Sequence, residues 1–338
     1  MMVSIIIPTY NRANYLTKAI DSALSQDYPN IEVIVSDNAS SDDTGEMVKK
    51  YKDDNRFKYF RNNHNLGMVA NWRKALNNYA TGDFFMILSD DDYLIDDNYI
   101  SKVVKLVESD PEIVIVYGNG YLFYEKSNKM VEFILPFNRV ENGKTIFLSR
   151  SKVLPQDFCL CNVLFKRNLA LKLNAFSNDN NITCDSELFL KMCLYGKVGI
   201  IQDLVSVYQI HSQNLILRLK SDLKLIINNY DHLSEPYKLA KKSNIFQKGE
   251  LEEWEDRVIV PYMFYILFTV MVSNPENYEK LARALKEKDP VVLMKVQKTS
   301  RFKLVLLLHK LRLLPIIYKF KNIDLINKVG TKIFQNSS

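Results

Sequence analysis

Glycine-rich phosphate loops are missing from this sequence. Only ten of the 338 residues are glycine, and they nowhere form the G-x-G-x-x-G or G-x-x-x-x-G-K-[ST] pattern. These absences disfavour nicotinamide-dependent dehydrogenases and P-loop nucleotide hydrolases, which cradle phosphates on such loops. Histidine is also scarce, and none of the four has the sequence context of a Ser-His-Asp hydrolase: His64, His211, His232 and His309.

Secretory and zinc-binding features are lacking as well. The first apolar run, Val3–Ile7, stops at Pro8 and has neither a basic leader nor a small-residue cleavage site. We therefore expect no secretory signal and a cytosolic compartment in which the cysteines stay reduced. The spacing of the first two cysteines does not suit zinc. The four cysteines are Cys159, Cys161, Cys184 and Cys193.

No apolar run in the sequence reaches the length of a membrane span. The longest, Val258–Val272, has 15 residues and includes Pro261 and Thr269. Because a spanning helix needs about 20 apolar residues, we expect a buried helix here. With 47% apolar residues overall, the chain can form a sizeable core, which excludes disordered, collagen-like and small disulfide-stapled proteins.

Positive charge is concentrated near the carboxyl end. Ten basic residues and one acid lie between Lys295 and Lys332, while the whole chain has a net charge of only +6. Leucines alternate with these basic residues, so residues 295–334 are expected to bind an anionic membrane surface. A helix packed on the domain and a dimer surface are the alternatives. Nucleic acid is not expected, because the segment is too apolar and carries no recognition motif.

Alternating strand-like and helix-like patterns organise the first hundred residues, which predicts a mostly parallel sheet covered by helices. Residues 118–210 are less regular, and long helical segments follow from about 215. The expected divisions are 1–117, 118–214 and 215–338. The predicted strands are Val3–Ile7, Ile31–Val35, Phe57–Phe60, Phe84–Leu88, Ile113–Tyr117, Val163–Phe165 and Val198–Ile201, and the helices are Asn14–Gln26, one from near Thr44, Met68–Tyr79, Ile100–Val107 and Ser186–Leu194.

Acidic residues follow two of these strands, at the edge where open α/β sheets bind ligands. Asp37 could accept hydrogen bonds from a base or from ribose hydroxyls, or act as a turn or cap residue. The run Asp90-Asp91-Asp92 is costly to bury without a cation, and Mg²⁺ or Mn²⁺ would compensate its negative charge. The alternative is a solvated turn, with Tyr93–Ile95 opening a short helical turn.

Several segments, in this order, resemble the family 2 glycosyltransferases. The resemblance extends over residues 3–117 and more weakly to 212. It implies an α/β GT-A fold, in which a Rossmann-like, mostly parallel sheet flanked by helices precedes a C-terminal helical region. The matching segments are Ile5-Ile6-Ile7-Pro8-Thr9-Tyr10-Asn11-Arg12, the run from Ser25 to Thr44, Asn65-Leu66-Gly67, and Gly82-Asp83 through Ser89-Asp90-Asp91-Asp92.

The resemblance also implies roles for individual residues. Asp90 would approach the ribose and Asp91 would ligate the metal that bridges the diphosphate, with Asp92 competing for that role. His211, in Val207–Ser212, matches a position where some members place a histidine near the metal, although a lone histidine is often structural. Around the nucleotide, the resemblance implies that Pro8, Thr9 and Tyr10 line the base pocket. It also implies that Arg12 lies near the phosphates and that Asp37 contacts the base.

The catalytic base of the family usually belongs to a Glu-Asp pair that opens a helix. The matching segment here is Cys184-Asp185-Ser186-Glu187, which implies Asp185 as the base, although Cys184 replaces the glutamate. Asp179 and Glu187 are rivals for this role. Asp185 could also cap the helix predicted over 186–194.

Together these residues imply an inverting, metal-dependent hexosyltransferase. It would move one sugar from a nucleoside diphosphate sugar, with UDP the family's commonest donor, to a glycan or lipid-linked acceptor in bacterial surface polysaccharide synthesis. Transfer of single sugars is expected because the processive Gln-x-x-Arg-Trp signature is absent. A nucleotidyltransferase and a non-catalytic assembly subunit are the alternatives. The expected location is the cytoplasm, with peripheral attachment to the inner face of the membrane, and no oligomeric state is predicted.

Overall fold

The computed structural model describes residues 1–150, 160–212 and 222–314. Among them, residues 1–147 and 160–212 form one compact unit, and residues 148–150 and 222–314 form a second. The first unit holds a ten-stranded sheet. Its strands are β1 (Val3–Thr9), β2 (Ile31–Asp37), β3 (Phe57–Arg61), β4 (Phe84–Ile87), β5 (Tyr93–Leu94), β6 (Ile113–Tyr124), β7 (Lys129–Phe133), β8 (Val140–Asn142), β9 (Val163–Lys166) and β10 (Lys197–Ile210).

The sheet is mixed, and its longest pairings are parallel. The strand order is β3-β2-β1-β4-β9-β6-β10-β5, with β7 beside β6 and β8 beside β10. Strands β1 to β4 pair only in parallel with one another, and β10 pairs in parallel with β6. The antiparallel β9 separates β4 from β6. The predicted α/β sheet followed by a helical region is therefore confirmed.

Burial on both faces explains why the central strands are apolar runs and not alternating patterns. All seven residues of β2 are buried, and in β1 only Pro8 is partly exposed. The flanking helices supply the cover. The helices and turns of the first unit are α1 (Ala13–Leu24), α2 (Thr44–Met47), α3 (Met68–Lys74, continued by a π-helical turn over Ala75–Tyr79), α4 (Tyr99–Ser109), α5 (Gly143–Ser149, of which residues 148 and 149 are counted in the second unit), α6 (Arg167–Lys172) and α7 (Cys184–Met192).

Two strands are longer than predicted, and one expected turn is a strand. β6 extends beyond the predicted Ile113–Tyr117 to Tyr124, and β10 runs for 14 residues around the predicted Val198–Ile201. Glycine and asparagine residues in β6 interrupt the apolar pattern by which a strand is recognised. Gly118 is required by packing, because a Cβ at this position would lie 2.5 Å from Val205 Cγ2. Tyr93–Leu94 is not a helical turn but β5, which pairs antiparallel with Ser206 and Val207.

The helix predicted over Ser186–Leu194 begins two residues earlier. It runs from Cys184 to Met192, and its N-cap residue is Thr183. Asp185 therefore lies inside the first turn, and the interpretation of Asp185 as the cap residue is wrong. A carboxylate in the first turn is favourable because it faces the positive end of the helix dipole.

The second unit is helical in its described part. The segment Glu250–Ser273 is a continuous helix of 24 residues, long and apolar enough to cross a membrane by length and composition. This helix is longer than the apolar run Val258–Val272 because it begins at Glu250, and core helices of soluble proteins meet the same criteria. Several residues of the run are buried, as expected, among them Ile259, Met263 and Leu267. The described helices of the second unit are α8 (Leu223–Asn229), α9 (Asp231–Lys242), α10 (Glu250–Trp254), α11 (Val260–Ser273, joined to α10 by a π-helical turn), α12 (Tyr278–Lys288), α13 (Pro290–Lys298) and α14 (Ser300–Lys310).

Candidate active site

Strand direction brings the end of β1, the acidic run and the end of β10 together at one edge of the first unit. Strands β1, β4, β6 and β10 run in the same direction, so their carboxyl ends share that edge. The acidic run follows β4, and the chain then turns back as β5 along β10. This return places Gln209 and His211, at the end of β10, beside the run Asp90–Asp92.

Asp90 is held against the end of β1. Its carboxylate accepts hydrogen bonds from the Thr9 hydroxyl at 2.7 Å and from Arg12 Nη1 at 3.1 Å. Burial and the neighbouring Asp91 raise the pKa of Asp90 to about 6, while Arg12 and Thr9 oppose the rise. Thr9, which the resemblance places in the base pocket, thus positions Asp90 in this structure.

Asp91 forms the centre of a three-residue cluster. Its Oδ2 lies 2.5 Å from Arg12 Nη1 and 2.9 Å from His211 Nε2. The imidazole ring of His211 stacks on Tyr15, with ring centroids 5.5 Å apart and planes 11° apart. Sequence reasoning missed Tyr15, which lies in the first turn of α1 and bears no signal for this contact.

Asp92 faces the strand and not the cluster. Its Oδ1 accepts the backbone N–H of Gln209 at 2.8 Å, and the Gln209 amide donates to the Asp91 carbonyl. Burial, with the charge of Asp91 next, raises the pKa of Asp92 well above that of an exposed carboxyl. Asp92 therefore joins the acidic run to β10, and Gln209 is a further site residue that sequence reasoning missed.

The donor set fits a divalent metal only when a substrate completes its coordination. Among the described residues, no group of three or more His, Cys, Asp or Glu side chains is arranged to hold a metal. Asp91 and His211 offer one carboxylate and one imidazole, which suit Mn²⁺. Since Mg²⁺ and Mn²⁺ bind through one or two carboxylates, waters and substrate phosphates, two protein donors suffice for a metal shared with a diphosphate.

Asp37 is fully buried at the end of β2 and is engaged within the protein. Its Oδ1 accepts the N–H of Ser40 at 2.8 Å, and its Oδ2 accepts the Tyr59 hydroxyl at 2.6 Å. Arg61 Nε lies 3.4 Å from the same Oδ2. These contacts fit the turn-residue interpretation, and a contact to a nucleobase stays a prediction. Tyr10, in contrast, is exposed beside the carboxyl end of β1.

The three candidates for the catalytic base differ in their contacts. Asp179 is ion-paired with Arg73 at 2.5 Å. Glu187 is paired with Lys191 and accepts a hydrogen bond from Asn181 at 2.6 Å. Asp185 is half-buried in the first turn of α7, where its Oδ1 accepts the N–H of Ser186 at 2.8 Å. Asp179 and Glu187 are thus engaged with cationic side chains, Arg73 and Lys191.

Cys184 stands where the resemblance implies a glutamate. It is buried at the first position of α7. Burial raises its pKa well above that of a free thiol, and the charges of Asp185 and Glu187 add to the rise. A thiol with a raised pKa does not replace the negative charge of a glutamate at this position.

Arg73 ties α3 to the loop that leads into α7. Its Nη1 donates to the Phe176 carbonyl at 2.8 Å as well as pairing with Asp179. Two residues of this loop have left-handed backbone conformations, Asn174 at φ 53° and Phe176 at φ 61°. Such a conformation is costly for a bulky residue and persists only where its surroundings hold it.

We expect Arg73→Met to lower the free energy of unfolding of the first unit by about 1–2 kcal/mol, because it leaves the Phe176 carbonyl without its donor. Thermal melting followed by circular dichroism measures the change. Asp179→Asn is the matched control: it removes only a partly exposed ion pair and should cost less than about 1 kcal/mol. Equal losses in both variants would show that the ion pair, and not the carbonyl contact, holds the loop.

Comparison with known proteins identifies the class. Residues 4–170 match the family described as Glycosyl transferase family 2. An uncharacterized glycosyltransferase of Rickettsia typhi is 28% identical over 261 residues, covering 77% of this chain and 79% of that relative. A GalNAc(5)-diNAcBac-PP-undecaprenol beta-1,3-glucosyltransferase of Campylobacter jejuni is 40% identical over 133 residues, covering 39% of this chain and 41% of that relative.

The fold agrees with that of a solved glycosyltransferase. S. aureus TarS 1-349, crystallised in complex with UDP-GlcNAc, superposes with a TM-score of 0.71 at 17% identity, covering 94% of this chain and 89% of that chain. The predicted GT-A fold is thereby confirmed. Residues 4–170 belong to glycosyl transferase family 2, and the predicted family is confirmed.

Proposed function

We propose that the protein transfers one sugar, with inversion, from a UDP-sugar to a hydroxyl group of a glycan or lipid-linked acceptor. The observation that carries the proposal is the cluster of Arg12, Asp91 and His211 at the carboxyl edge of the sheet. It combines a cation for phosphates with a carboxylate and an imidazole for a metal. The TarS complex with UDP-GlcNAc supports the donor class, and the Campylobacter relative supports a lipid-linked acceptor.

In this proposal Asp91 and His211 would hold Mn²⁺ or Mg²⁺, which supplies Lewis-acid neutralisation of the departing diphosphate. Arg12, whose Nη1 lies against Asp91 in this structure, is the cation that would bind the phosphates. Asp90, already fixed by Thr9, accepts from the ribose hydroxyls. Asp185 accepts the proton of the acceptor hydroxyl as that oxygen attacks the anomeric carbon.

A surface polysaccharide or other cell-envelope glycan is the proposed product class, and the inner side of the bacterial cell membrane is the proposed location. Only one oxygen of the acceptor attacks the sugar, so one general base, Asp185, is enough to accept its proton.

Neither of the two alternative functions, a nucleotidyltransferase or a non-catalytic subunit, is favoured by an observation at the site. A nucleotidyltransferase would need a further phosphate-binding loop, and a non-catalytic subunit would not need the Arg12–Asp91–His211 cluster.

Isothermal titration with UDP, GDP and dTDP, each with and without Mn²⁺, tests the donor site. We expect UDP to bind most tightly and only in the presence of the metal. His211→Ala should weaken the metal-dependent binding about tenfold or more, because it removes one of two protein donors. His64→Ala, an exposed histidine of the same unit, is the matched control and should leave binding unchanged. Binding of UDP that depends neither on the metal nor on His211 would contradict the proposed site.

A further inference from the structure

Helix α14 is apolar on two opposite sides. On one side Phe302 is buried, with its ring 6.4 Å from that of Phe264 in an edge-to-face contact. On the other side three leucines are more than half exposed: Leu304 at 58%, Leu307 at 53% and Leu311 at 57%. An ordinary amphipathic helix would present polar residues there.

Helical geometry shows that the exposed leucines form one surface. At about 100° per residue, positions 304, 307 and 311 fall within one narrow sector. Phe302 and His309 fall on the opposite side, and the His309 ring packs 5.1 Å from that of Tyr278 on α12. The leucines are therefore directed away from the helices that α14 packs against. We call Leu304, Leu307 and Leu311 the leucine face.

Basic side chains border the leucine face. Lys303 and Lys310 lie at about 100° from Leu304 on one flank and are exposed. Neither has an ion pair within residues 1–150, 160–212 and 222–314, whereas Lys295 on α13 is paired with both Glu255 and Asp256. No acidic residue occurs from 290 to 314. The surface thus combines exposed apolar area with uncompensated positive charge.

We propose that the leucine face and its flanking lysines dock the protein on an anionic lipid surface. Leucines can enter the boundary of headgroups and acyl chains while lysines meet lipid phosphates, and each needs the other for stable attachment. A second copy of the chain is a poorer occupant because it would bring like charges together. The proposal sharpens the prediction for residues 295–334, of which 315–334 lie outside the described residues, and it is independent of the proposed transfer reaction.

Vesicle sedimentation of the full chain tests this assignment. We expect binding to vesicles of phosphatidylglycerol and phosphatidylcholine, and at least tenfold weaker binding to phosphatidylcholine alone. The triple variant Leu304→Ser, Leu307→Ser, Leu311→Ser should lower the partition coefficient at least tenfold. Lys303→Gln with Lys310→Gln should remove much of the preference for anionic vesicles, as should added salt.

The controls separate lipid docking from other effects. Met130→Ser with Ile245→Ser changes two apolar residues that are exposed elsewhere and should leave vesicle binding unchanged. Leu307→Glu, a single change at an exposed position, repeats the test if the triple variant loses its melting transition. Unchanged vesicle binding in the leucine variants would overturn the proposal, as would a change only in oligomeric state measured by light scattering. UDP binding should persist in all of them.

Discussion

Asp91→Asn is expected to lower kcat for sugar transfer about 10³-fold, because it removes the charge that would hold a metal against the departing diphosphate. The substitution keeps the size of the side chain, and the amide can still accept a hydrogen bond. Arg12 and His211, which both contact Oδ2 of Asp91, lose their anionic partner. Release of nucleoside diphosphate from a UDP-sugar, measured with and without acceptor, gives the readout.

Asp92→Asn distinguishes the two carboxylates that compete for the metal. Asp92 Oδ1 accepts the backbone N–H of Gln209, and an amide oxygen can accept the same hydrogen bond, so the amide should be tolerated there. We expect this variant to keep most of its activity. Asp43→Asn is the control and should keep all of it, because Asp43 is exposed and its backbone carbonyl accepts hydrogen bonds from the first turn of α2. Transfer that survives Asp91→Asn but is abolished by Asp92→Asn would assign the metal to Asp92.

The sheet could be predicted from sequence wherever burial on both faces produced a short apolar run. Alternation of apolar and polar residues was not needed to recognise β1 and β2, because the side chains in their centres are buried on both faces. Acidic residues at the carboxyl ends of two predicted strands marked the ligand-binding edge, because open α/β sheets bind ligands there. Asp37 and the run Asp90–Asp92 are buried at that edge. The order of the matching segments then identified the family.

Contacts made by tertiary pairing could not be predicted in this way. Strand β5 has only two residues, and it exists because β10 lies beside it. The same pairing brings Gln209 to Asp91 and Asp92 across more than a hundred residues of sequence. Tyr15 meets His211 by ring stacking, which leaves no periodic pattern. These residues complete the candidate site, and only the fold shows them.

Asp185→Asn is expected to lower kcat for transfer roughly 10³-fold while leaving the affinity for UDP unchanged, because a general base acts on the acceptor and not on the nucleotide. The amide is similar in size and can still accept the N–H of Ser186, which Asp185 now does at 2.8 Å. Single-turnover transfer and isothermal titration of the same preparation separate the chemical step from donor binding.

The two rivals provide the matched controls for that experiment. Asp179→Asn leaves the Phe176 carbonyl contact of Arg73 in place, and Glu187→Gln keeps an oxygen that can accept from Asn181. Both variants should retain transfer within a few fold, since these carboxylates serve ion pairs with Arg73 and Lys191. If Glu187→Gln instead abolishes transfer while Asp185→Asn does not, the base lies further along α7, and Asp185 acts only by stabilising the positive end of that helix.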